Sequence, residues 1–424
     1  MVTQMTELKI KPSQIKIGYA IKLPCSWTKH PFLTANFVVE TQQQIAIIQN
    51  IELDFVFFYP EKSQIQKTAT PANSPTTESS ASNEASVAEE TRKLQQLKQQ
   101  RIDAAKSHRA ALQKTEKVFV QTLDQVKAMM QMLGSRPLNA IEESQRLVNT
   151  MTKTILGAQS MVISLMVTSN KEEQNFYSHC LNVSVLSMLL AEKMGLSAVE
   201  IEAIGMGALF HDIGKLKIPS QITRKKTALT TPELNLLKMH PRYGIDLINL
   251  ADYFPDAAKL IILQHHEYAD GTGYPMGLVG DQIDKLSRIV TIVNEFDNLC
   301  HPLDETKART PHHALSLMFT QMKAKFHHES LGSFIRLMGI YPPGTIVQLS
   351  DQRIGMVMSA NSTNMTHPEV LIYDAEVPRL EAPIIELTDG LKIEKVASSK
   401  ELRPEIILYL NPRAQKNYFF DAKN

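Results

Sequence analysis

Cysteine, long apolar runs and an excess of one charge are all absent or scarce in this chain of 424 residues. The three cysteines, Cys25, Cys180 and Cys300, lie far apart with no CxxC pair, which excludes a cysteine zinc site and indicates a reducing compartment. No apolar stretch approaches the roughly 18 residues of a spanning helix and no signal-peptide core begins the chain, so we expect a cytoplasmic protein outside the membrane. The chain has 45 Lys and Arg residues and 44 Asp and Glu residues. Because these charges nearly cancel, no broad basic surface that binds DNA or RNA is expected.

Composition changes along the chain predict five segments. Residues 1–65 contain short Ile-, Val- and Phe-rich runs, typical of a small β-containing module, and residues 66–91 are dominated by Ser, Thr, Pro, Asn and Glu, typical of a flexible linker. Residues 92–140 predict connecting helices, which either join domains or pair into a homodimer. Residues 141–340 are helical almost throughout, and residues 341–424 have the period-2 pattern of a small β-domain. The predicted fold class is therefore mainly α, with β-containing modules on either side.

Histidine is the residue whose placement needs an explanation, since several of the 13 histidines lie in or beside apolar helical stretches. With one aspartate, the residues concerned are His179, His211, Asp212, His240, His265 and His266. A lone histidine in such a place is more often a hydrogen-bonded core residue, but five from separate helices predict a metal centre. Imidazoles and carboxylates without thiols suit Fe, Mn, Zn or similar divalent ions, and Asp212 could bridge two of them. The other eight histidines are interpreted as surface or helix-cap residues.

Two divalent ions about 3.5–4 Å apart are suited to phosphoester hydrolysis, since they polarise a phosphate and hold a nucleophile in line with it. Lys215, four positions after His211, would lie one turn away if the helix continues, and could neutralise a phosphate oxygen. The alternative is a solvent-facing lysine at a helix end. After His265 and His266, the string EYADGTGYP combines two glycines and a proline, and predicts a tight loop beside the metal centre.

The strings HDIGK and HHEYADGTGYP, with His240-Pro241 and Gly244 between them, resemble the HD-GYP family of cyclic di-GMP phosphodiesterases, a branch of the HD metal-dependent phosphohydrolases. The resemblance covers roughly residues 151–337, and the stretch around Trp27 is similar to a small domain of unknown role that often precedes HD-GYP domains. It implies an all-helical HD-type catalytic domain that hydrolyses the 3′,5′-phosphodiester bonds of cyclic di-GMP to pGpG or GMP.

The resemblance also implies roles for individual residues. The metal-ligand positions are His179, His211, Asp212, His240, His265, His266 and, in a later helix, Asn294. Asp212 and Lys215 fall on catalytic positions, and Lys215 is also expected to bind substrate together with Gly273, Tyr274 and Pro275. Two divalent ions are implied, with Fe or Mn preferred and Zn, Ni, Co or Mg as alternatives. In the family, the GYP loop is associated with contacts to diguanylate cyclase (GGDEF) domains.

Three features depart from the family pattern. Asn294 stands where the family has an aspartate ligand; an amide oxygen binds a hard cation more weakly, and Asp297, three positions on, is interpreted as a residue of the second ligand layer. Asn175 stands near a glutamate position that serves a third metal, so we expect two ions at most. Cys300-His301-Pro302-Leu303 replaces an RPY-type basic motif, so the substrate phosphates are expected to meet Arg288 or Lys285 instead.

Three hypotheses follow from these residues. The first is an active cyclic di-GMP phosphodiesterase with two metal ions. The second is a degenerate HD-GYP domain that binds nucleotides or partner proteins without turnover, which the change at Asn294 would explain. The third is an HD phosphohydrolase that acts on another nucleotide, although the GYP string argues against it.

Overall fold

The computed structural model confirms a mainly α fold in which a large helical domain has a small β-containing module before it and β-strands after it. The residues that the structure describes are 7–63, 80–133, 135–155, 176–250, 253–359, 366–388, 390–398 and 401–410. None of the helices in these ranges combines the length and the apolar character that crossing a membrane requires.

The N-terminal module is a four-stranded antiparallel sheet with one helix. Its elements are β1 (Leu8–Ile10), β2 (Ala20–Lys22), β3 (Asn36–Val38), α1 (Gln42–Asn50) and β4 (Val56–Phe58). The strand order is β1-β4-β2-β3, with Leu8 opposite Phe58 and Ile21 opposite Phe37. Ile21 of the sheet and Ile48 of α1 are among the residues buried between sheet and helix.

A helix of 53 residues, α2 (Ser80–Met132), precedes α3 (Pro137–Ile155). Because α2 begins at Ser80, the flexible linker predicted up to residue 91 is wrong for its last part, and the remainder of that linker lies outside the described residues. Pro137 opens α3, where its fixed φ fits and its missing N–H costs no helical hydrogen bond.

The helical domain continues with nine helices in the described residues. They are α4 (Phe176–Lys193), α5 (Ala198–Phe210), α6 (Ser220–Thr223), α7 (Thr231–Leu237), α8 (His240–Ile248), α9 (Asp256–Gln264), α10 (Lys285–Cys300), α11 (Pro311–Thr320) and α12 (His328–Met338). Helices α4 and α5 are buried along most of their length and pack against each other in the core. Ser197 and Glu200 form a capping box at the start of α5, which fixes where that helix begins.

The C-terminal segment forms a five-stranded sheet and a short helix, as its period-2 pattern predicts. Its strands are β5 (Ile346–Leu349), β6 (Ile354–Ser359), β7 (Glu369–Ile372), β8 (Ile384–Glu386) and β9 (Ile393–Val396), followed by α13 (Pro404–Leu410). The strand order is β8-β7-β6-β5-β9.

By its internal contacts the chain divides into two compact units. One comprises Met1–Arg109, Gln348–Gly355 and Leu371–Ile385, and the other comprises Ala110–Val347, Met356–Val370 and Glu386–Asn424. The division therefore falls inside α2 and within the C-terminal segment, whereas the five segments predicted from composition follow the order of the sequence. All the residues discussed below as the metal centre belong to the second unit.

In the first unit, Lys98 of α2 fastens that helix to the N-terminal module. Its ammonium donates hydrogen bonds to the carbonyl oxygens of Trp27 and His30, at 2.6 and 2.8 Å, and lies 3.8 Å from the centroid of the Trp27 ring. Burial lowers the pKa of Lys98 to about 8. Helix α2 is thus joined to the module at this point by two hydrogen bonds and a cation–π contact of one buried lysine.

Candidate metal centre

Six of the side chains predicted as metal ligands converge because they stand at or near helix ends that meet in the core. They are His179 in the first turn of α4, His211 and Asp212 after α5, His240 at the start of α8, and His265 and His266 after α9. Their ligand atoms form two groups that share Asp212, and within each group the atoms lie within 4.8 Å of one another. One group is His179, His211 and Asp212, and the other is Asp212, His240, His265 and His266.

Three of these histidines share a hydrogen bond that determines which ring nitrogen carries the proton. Each Nδ1 lies within hydrogen-bond distance of the carbonyl oxygen three residues earlier in the chain. The pairs are His211 with Ala208 at 2.7 Å, His240 with Leu237 at 2.7 Å, and His265 with Ile262 at 2.9 Å. Because a carbonyl oxygen only accepts, Nδ1 must carry the proton, and Nε2 keeps its lone pair for a metal ion.

The Nε2 atoms face each other in two close pairs. His179 Nε2 lies 3.2 Å from His211 Nε2, and His240 Nε2 lies 3.1 Å from His265 Nε2. Two lone pairs at this distance repel unless a cation lies between them. Nitrogen atoms about 2.1 Å from one metal ion, at right angles to each other, would be about 3 Å apart, so both pairs fit ligation of an ion.

Asp212 lies between the two pairs, with one carboxylate oxygen toward each. Its Oδ1 is 3.1 Å from His240 Nε2 and 3.7 Å from His265 Nε2, and its Oδ2 is 3.5 Å from His211 Nε2 and 3.6 Å from His179 Nε2. Oδ1 is buried, and no group of the described residues donates a hydrogen bond to it. A buried carboxylate oxygen left in this way is suited to a cation, and the placement of both oxygens suits a bridging ligand.

Lys215 lies beside this carboxylate, although it does not continue helix α5. The helix ends at Phe210 and the chain turns through a 3₁₀ segment, Ile213–Lys217, which brings Lys215 Nζ to 2.5 Å from Asp212 Oδ2. Burial raises the pKa of Asp212, but the positive charge of Lys215 opposes this effect, and the pKa lies well below its usual range. Asp212 is therefore ionised, and its carboxylate lies next to one lysine and four imidazole rings.

Three histidines of the cluster are neutral because burial disfavours the charged imidazolium form. Burial lowers the pKa of His265 to about 4, and it lowers the pKa of His211 and His266 well below the ordinary value. Neutral imidazole is the form that binds metals, so these ligands need not lose a proton first at neutral pH.

The GYP loop packs directly on one of the ligands. The Tyr274 ring stacks on His266 with centroids 4.5 Å apart and planes 19° apart, and its amide donates to the His266 carbonyl at 3.1 Å. The buried carboxylate of Glu267 accepts hydrogen bonds from the amides of Met276 and Leu278, at 2.6 and 2.9 Å. Glu267, which was not assigned a role from the sequence, thus holds the loop against the metal centre.

Two glycines allow the close approaches on which this geometry depends. A Cβ atom on Gly273 would lie 2.4–2.5 Å from backbone atoms of His266, Glu267 and Tyr268. A Cβ atom on Gly214, in the turn after Asp212, would lie 1.9 Å from the His240 carbonyl oxygen. Only glycine fits at either position without moving the backbone that carries the ligands.

Asp297 of α10 contacts His179, one of the proposed ligands. Its Oδ2 accepts from His179 Nδ1 at 2.6 Å, and its Oδ1 accepts from Asn182 Nδ2 at 3.2 Å and from His301 Nδ1 at 3.0 Å. The contact with His179 is compatible with the predicted role of Asp297 behind the proposed ligands, whereas its contact with His301 was not predicted. The signal was the position of His301 four residues after Asp297, on the same face of the helix.

Asn294 is also buried on α10, and its Oδ1 accepts a hydrogen bond from Asn298 Nδ2 at 3.0 Å. Asn175, from which the limit of two ions was inferred, lies outside the described residues.

The two basic residues expected to meet substrate are engaged with their own surroundings. Arg288 Nε donates to the Ile283 carbonyl at 2.8 Å and its Nη1 pairs with Asp281 at 3.0 Å, while Lys285 pairs with Glu200. Arg288 thereby anchors the segment that follows the GYP loop.

Two family models match the chain. A model described as "HD domain" matches residues 127–329, and one described as "Domain of unknown function (DUF3391)" matches residues 7–144. The HD match contains all six converging side chains.

Curated relatives extend the likeness to both domains. The chain is 25% identical over 375 residues to "Cyclic di-GMP phosphodiesterase PA4108" of Pseudomonas aeruginosa, covering 86% of this chain and 84% of the relative. It is 37% identical over 155 residues to "Cyclic di-GMP phosphodiesterase response regulator RpfG" of Xanthomonas campestris, covering 36% and 41%. A solved structure, "Bd1817, a HDG"Y"P protein from Bdellovibrio bacteriovorus", aligns over 78% of this chain and 98% of that one, at 16% identity and a TM-score of 0.45.

The motifs HDIGK and HHEYADGTGYP, the convergence of their histidines and the two domain matches agree with one another. The chain therefore contains an HD domain in residues 127–329, which carries motifs similar to those of the HD-GYP family, and a DUF3391 domain in residues 7–144.

Proposed function

We propose that this chain is a metal-dependent phosphodiesterase that hydrolyses the 3′,5′-phosphodiester bonds of cyclic di-GMP to pGpG, GMP or both. The observation that carries the proposal is the position of Asp212, with one carboxylate oxygen toward each of two imidazole pairs. The names of the two curated relatives, one of which matches over most of its length, support this substrate.

The site is suited to this reaction by its charges. Divalent ions held by the five histidines and Asp212 would polarise a phosphodiester and lower the pKa of a water molecule for in-line attack. Lys215, whose side chain is 28% exposed, reaches from the Asp212 carboxylate toward solvent and is placed to neutralise a phosphate oxygen. Gly273, Tyr274 and Pro275 form the wall beside His266, against which we propose that the substrate binds.

We propose two ions, with iron or manganese preferred and zinc, nickel, cobalt or magnesium as the other candidates. The support is the division of the donors into two groups that share one carboxylate. Nitrogen donors make up most of both groups, which disfavours magnesium, a cation that prefers oxygen ligands. Asn294 remains a proposed ligand, and Arg288 remains a proposed substrate contact that would first have to leave Asp281 or use its remaining donors.

The degenerate-domain alternative depends chiefly on Asn294, whereas the other six proposed ligand positions hold side chains that can bind a metal ion and that converge. Hydrolysis is therefore the function that we propose. The unpaired thiols of Cys25, Cys180 and Cys300 support a reducing, cytoplasmic location. GGDEF-domain proteins as partners, and a homodimer through helices α2 and α3, remain proposals to be tested by pull-down with a purified GGDEF domain and by light scattering.

One preparation tests the proposed function by metal analysis and by chromatography of cyclic di-GMP products. We expect bound divalent metal and linear pGpG or GMP, and a loss of at least about 1,000-fold in kcat/KM for Asp212→Ala, together with loss of metal. Asp256→Ala, which removes an exposed carboxylate paired with Lys259, is the matched control and should retain both. A fully metal-loaded wild-type protein with no turnover would contradict the proposal, and turnover of another nucleotide in preference to cyclic di-GMP would redirect it.

A further inference from the structure

Lys238 lies at the edge of the metal centre, outside the layer of ligands. It follows helix α7 directly and precedes the ligand His240 by two residues, and the carbonyl oxygen of the preceding residue, Leu237, accepts from His240 Nδ1. The backbone that fixes this ligand therefore also fixes the position from which the lysine side chain extends.

The Lys238 ammonium is placed over an aromatic ring that itself packs on the ligands. Its Nζ lies 5.4 Å from the centroid of the Tyr274 ring. That ring stacks on His266 at 4.5 Å and lies 6.2 Å from the His240 ring, centroid to centroid. A cation over a tyrosine face is held by the ring quadrupole, so Tyr274 sets the distance of this charge from the metal centre.

Lys238 is exposed and, among the residues that the structure describes, no carboxylate forms an ion pair with it. Lys215 differs, because its ammonium lies 2.5 Å from the carboxylate that joins the two ligand groups. The two lysines thus offer positive charge in two layers, Lys215 next to the ligands and Lys238 one aromatic ring farther out.

A cyclic dinucleotide carries two phosphates, and only one of them can be at the metal ions during a given cleavage. We infer that Lys238 binds the second, unreacting phosphate, and that Tyr274 positions the ammonium for it. The inference rests on the proposed function, and it assigns to Lys238 the phosphate contact that was expected from Arg288. Lys238 here contributes to substrate binding and has no part in cleaving the bond.

Two substrates separate this role from a role in the metal centre. Cyclic di-GMP has a second phosphate, whereas bis(p-nitrophenyl) phosphate has only the reacting diester. We expect Lys238→Met to raise KM for cyclic di-GMP about 10-fold with little change in kcat, because one charge-assisted contact is lost. Its rate on bis(p-nitrophenyl) phosphate should equal that of the wild type, and Lys238→Arg should restore KM for cyclic di-GMP.

Lys323 offers a matched control, since its ammonium lies over the exposed ring of Phe319 at 5.7 Å, so Lys323→Met removes the same kind of contact. Its KM should not change. An unchanged KM for cyclic di-GMP in Lys238→Met overturns the inference, and so does an equal loss on both substrates. If the wild type binds cyclic di-GMP without turnover, the proposed function fails. The inference about Lys238 is then tested by the Kd for cyclic di-GMP, and an unchanged Kd in Lys238→Met overturns it.

Discussion

The Asp297 carboxylate accepts a hydrogen bond of 2.6 Å from His179 Nδ1, on the far side of the imidazole from His211. The contact fixes the tautomer of His179 and turns its Nε2 toward the metal centre. A carboxylate in this position also makes the imidazole a stronger donor to a metal ion. The two histidine contacts outweigh burial, which alone would raise the pKa of Asp297, and hold that pKa below its usual range, so the carboxylate is charged.

Replacing this charge should weaken metal binding without removing a ligand. For Asp297→Asn we expect the metal affinity to fall about 10- to 100-fold, as measured by competition with a chelator of known affinity. Activity should return when excess metal is added, because the ligands themselves are intact. Asp256→Asn, at an exposed carboxylate, serves as the control and should bind metal like the wild type. An unchanged affinity in Asp297→Asn would show that His179 does not depend on this contact.

Asn294 allows a change in the opposite direction. Its Oδ1 already accepts a hydrogen bond from Asn298 Nδ2, and an aspartate oxygen could accept the same bond without new crowding. We expect Asn294→Asp to retain metal on the order of 10-fold more tightly, because a carboxylate brings a negative charge that an amide lacks. Asn298→Asp adds a charge one turn farther along and should not do so. Weaker metal binding in Asn294→Asp would place residue 294 outside the ligand set.

Acid should destabilise the N-terminal module through His30. Burial, with the nearby charge of Lys98, lowers the pKa of His30 from 6.5 to about 4. The unfolded chain therefore binds a proton between pH 6.5 and 4 that the folded module does not bind, so its stability is present above this range and lost as the pH falls through it.

For His30→Leu we expect a smaller loss of stability over the same range, by about 1–3 kcal/mol. The backbone carbonyl that accepts from Lys98 is unchanged in this variant. Urea unfolding of wild type and variant at several pH values measures the difference. Parallel pH dependences for the two proteins would contradict the assignment to His30.

The six converging side chains could be predicted from the sequence because each is a polar residue next to an apolar helical run, and two short motifs contain two of them each. The sequence also indicated Lys215, but it did not predict the backbone path that brings this side chain to Asp212. The prediction placed it one turn along a continuing helix, whereas the helix ends at Phe210 and a 3₁₀ turn supplies the contact with Asp212. The close packing of Gly214 against His240 belongs to the tertiary structure, and no local propensity reports it.

Two further differences have the same origin. The beginning of α2 at Ser80 was missed because Ser, Thr and Asn dominate the composition there, although Ala and Glu in the same stretch favour helix and extending an existing helix costs little. His301 was counted as a bystander because no apolar run surrounds it, and only the fold shows its contact with Asp297.

The GYP loop gives a prediction that joins stability to activity. In Gly273→Ala the new Cβ would meet three backbone atoms at 2.4–2.5 Å, and backbone cannot move aside as the end of a side chain can. The loop must therefore shift, and Tyr274 moves with it away from the His266 ring. We expect a fall of about 1–3 kcal/mol in the free energy of unfolding and at least about a 10-fold fall in kcat/KM for cyclic di-GMP.

Gly390→Ala is the matched control, since nothing lies within 4 Å of the added atom, and both quantities should stay at the wild-type values. A Gly273→Ala protein with wild-type stability and activity would mean that the loop can move without disturbing the ligands. A protein that loses stability but keeps kcat/KM would separate the packing of Gly273 from the position of Tyr274, and would leave the stacking on His266 without a part in substrate binding.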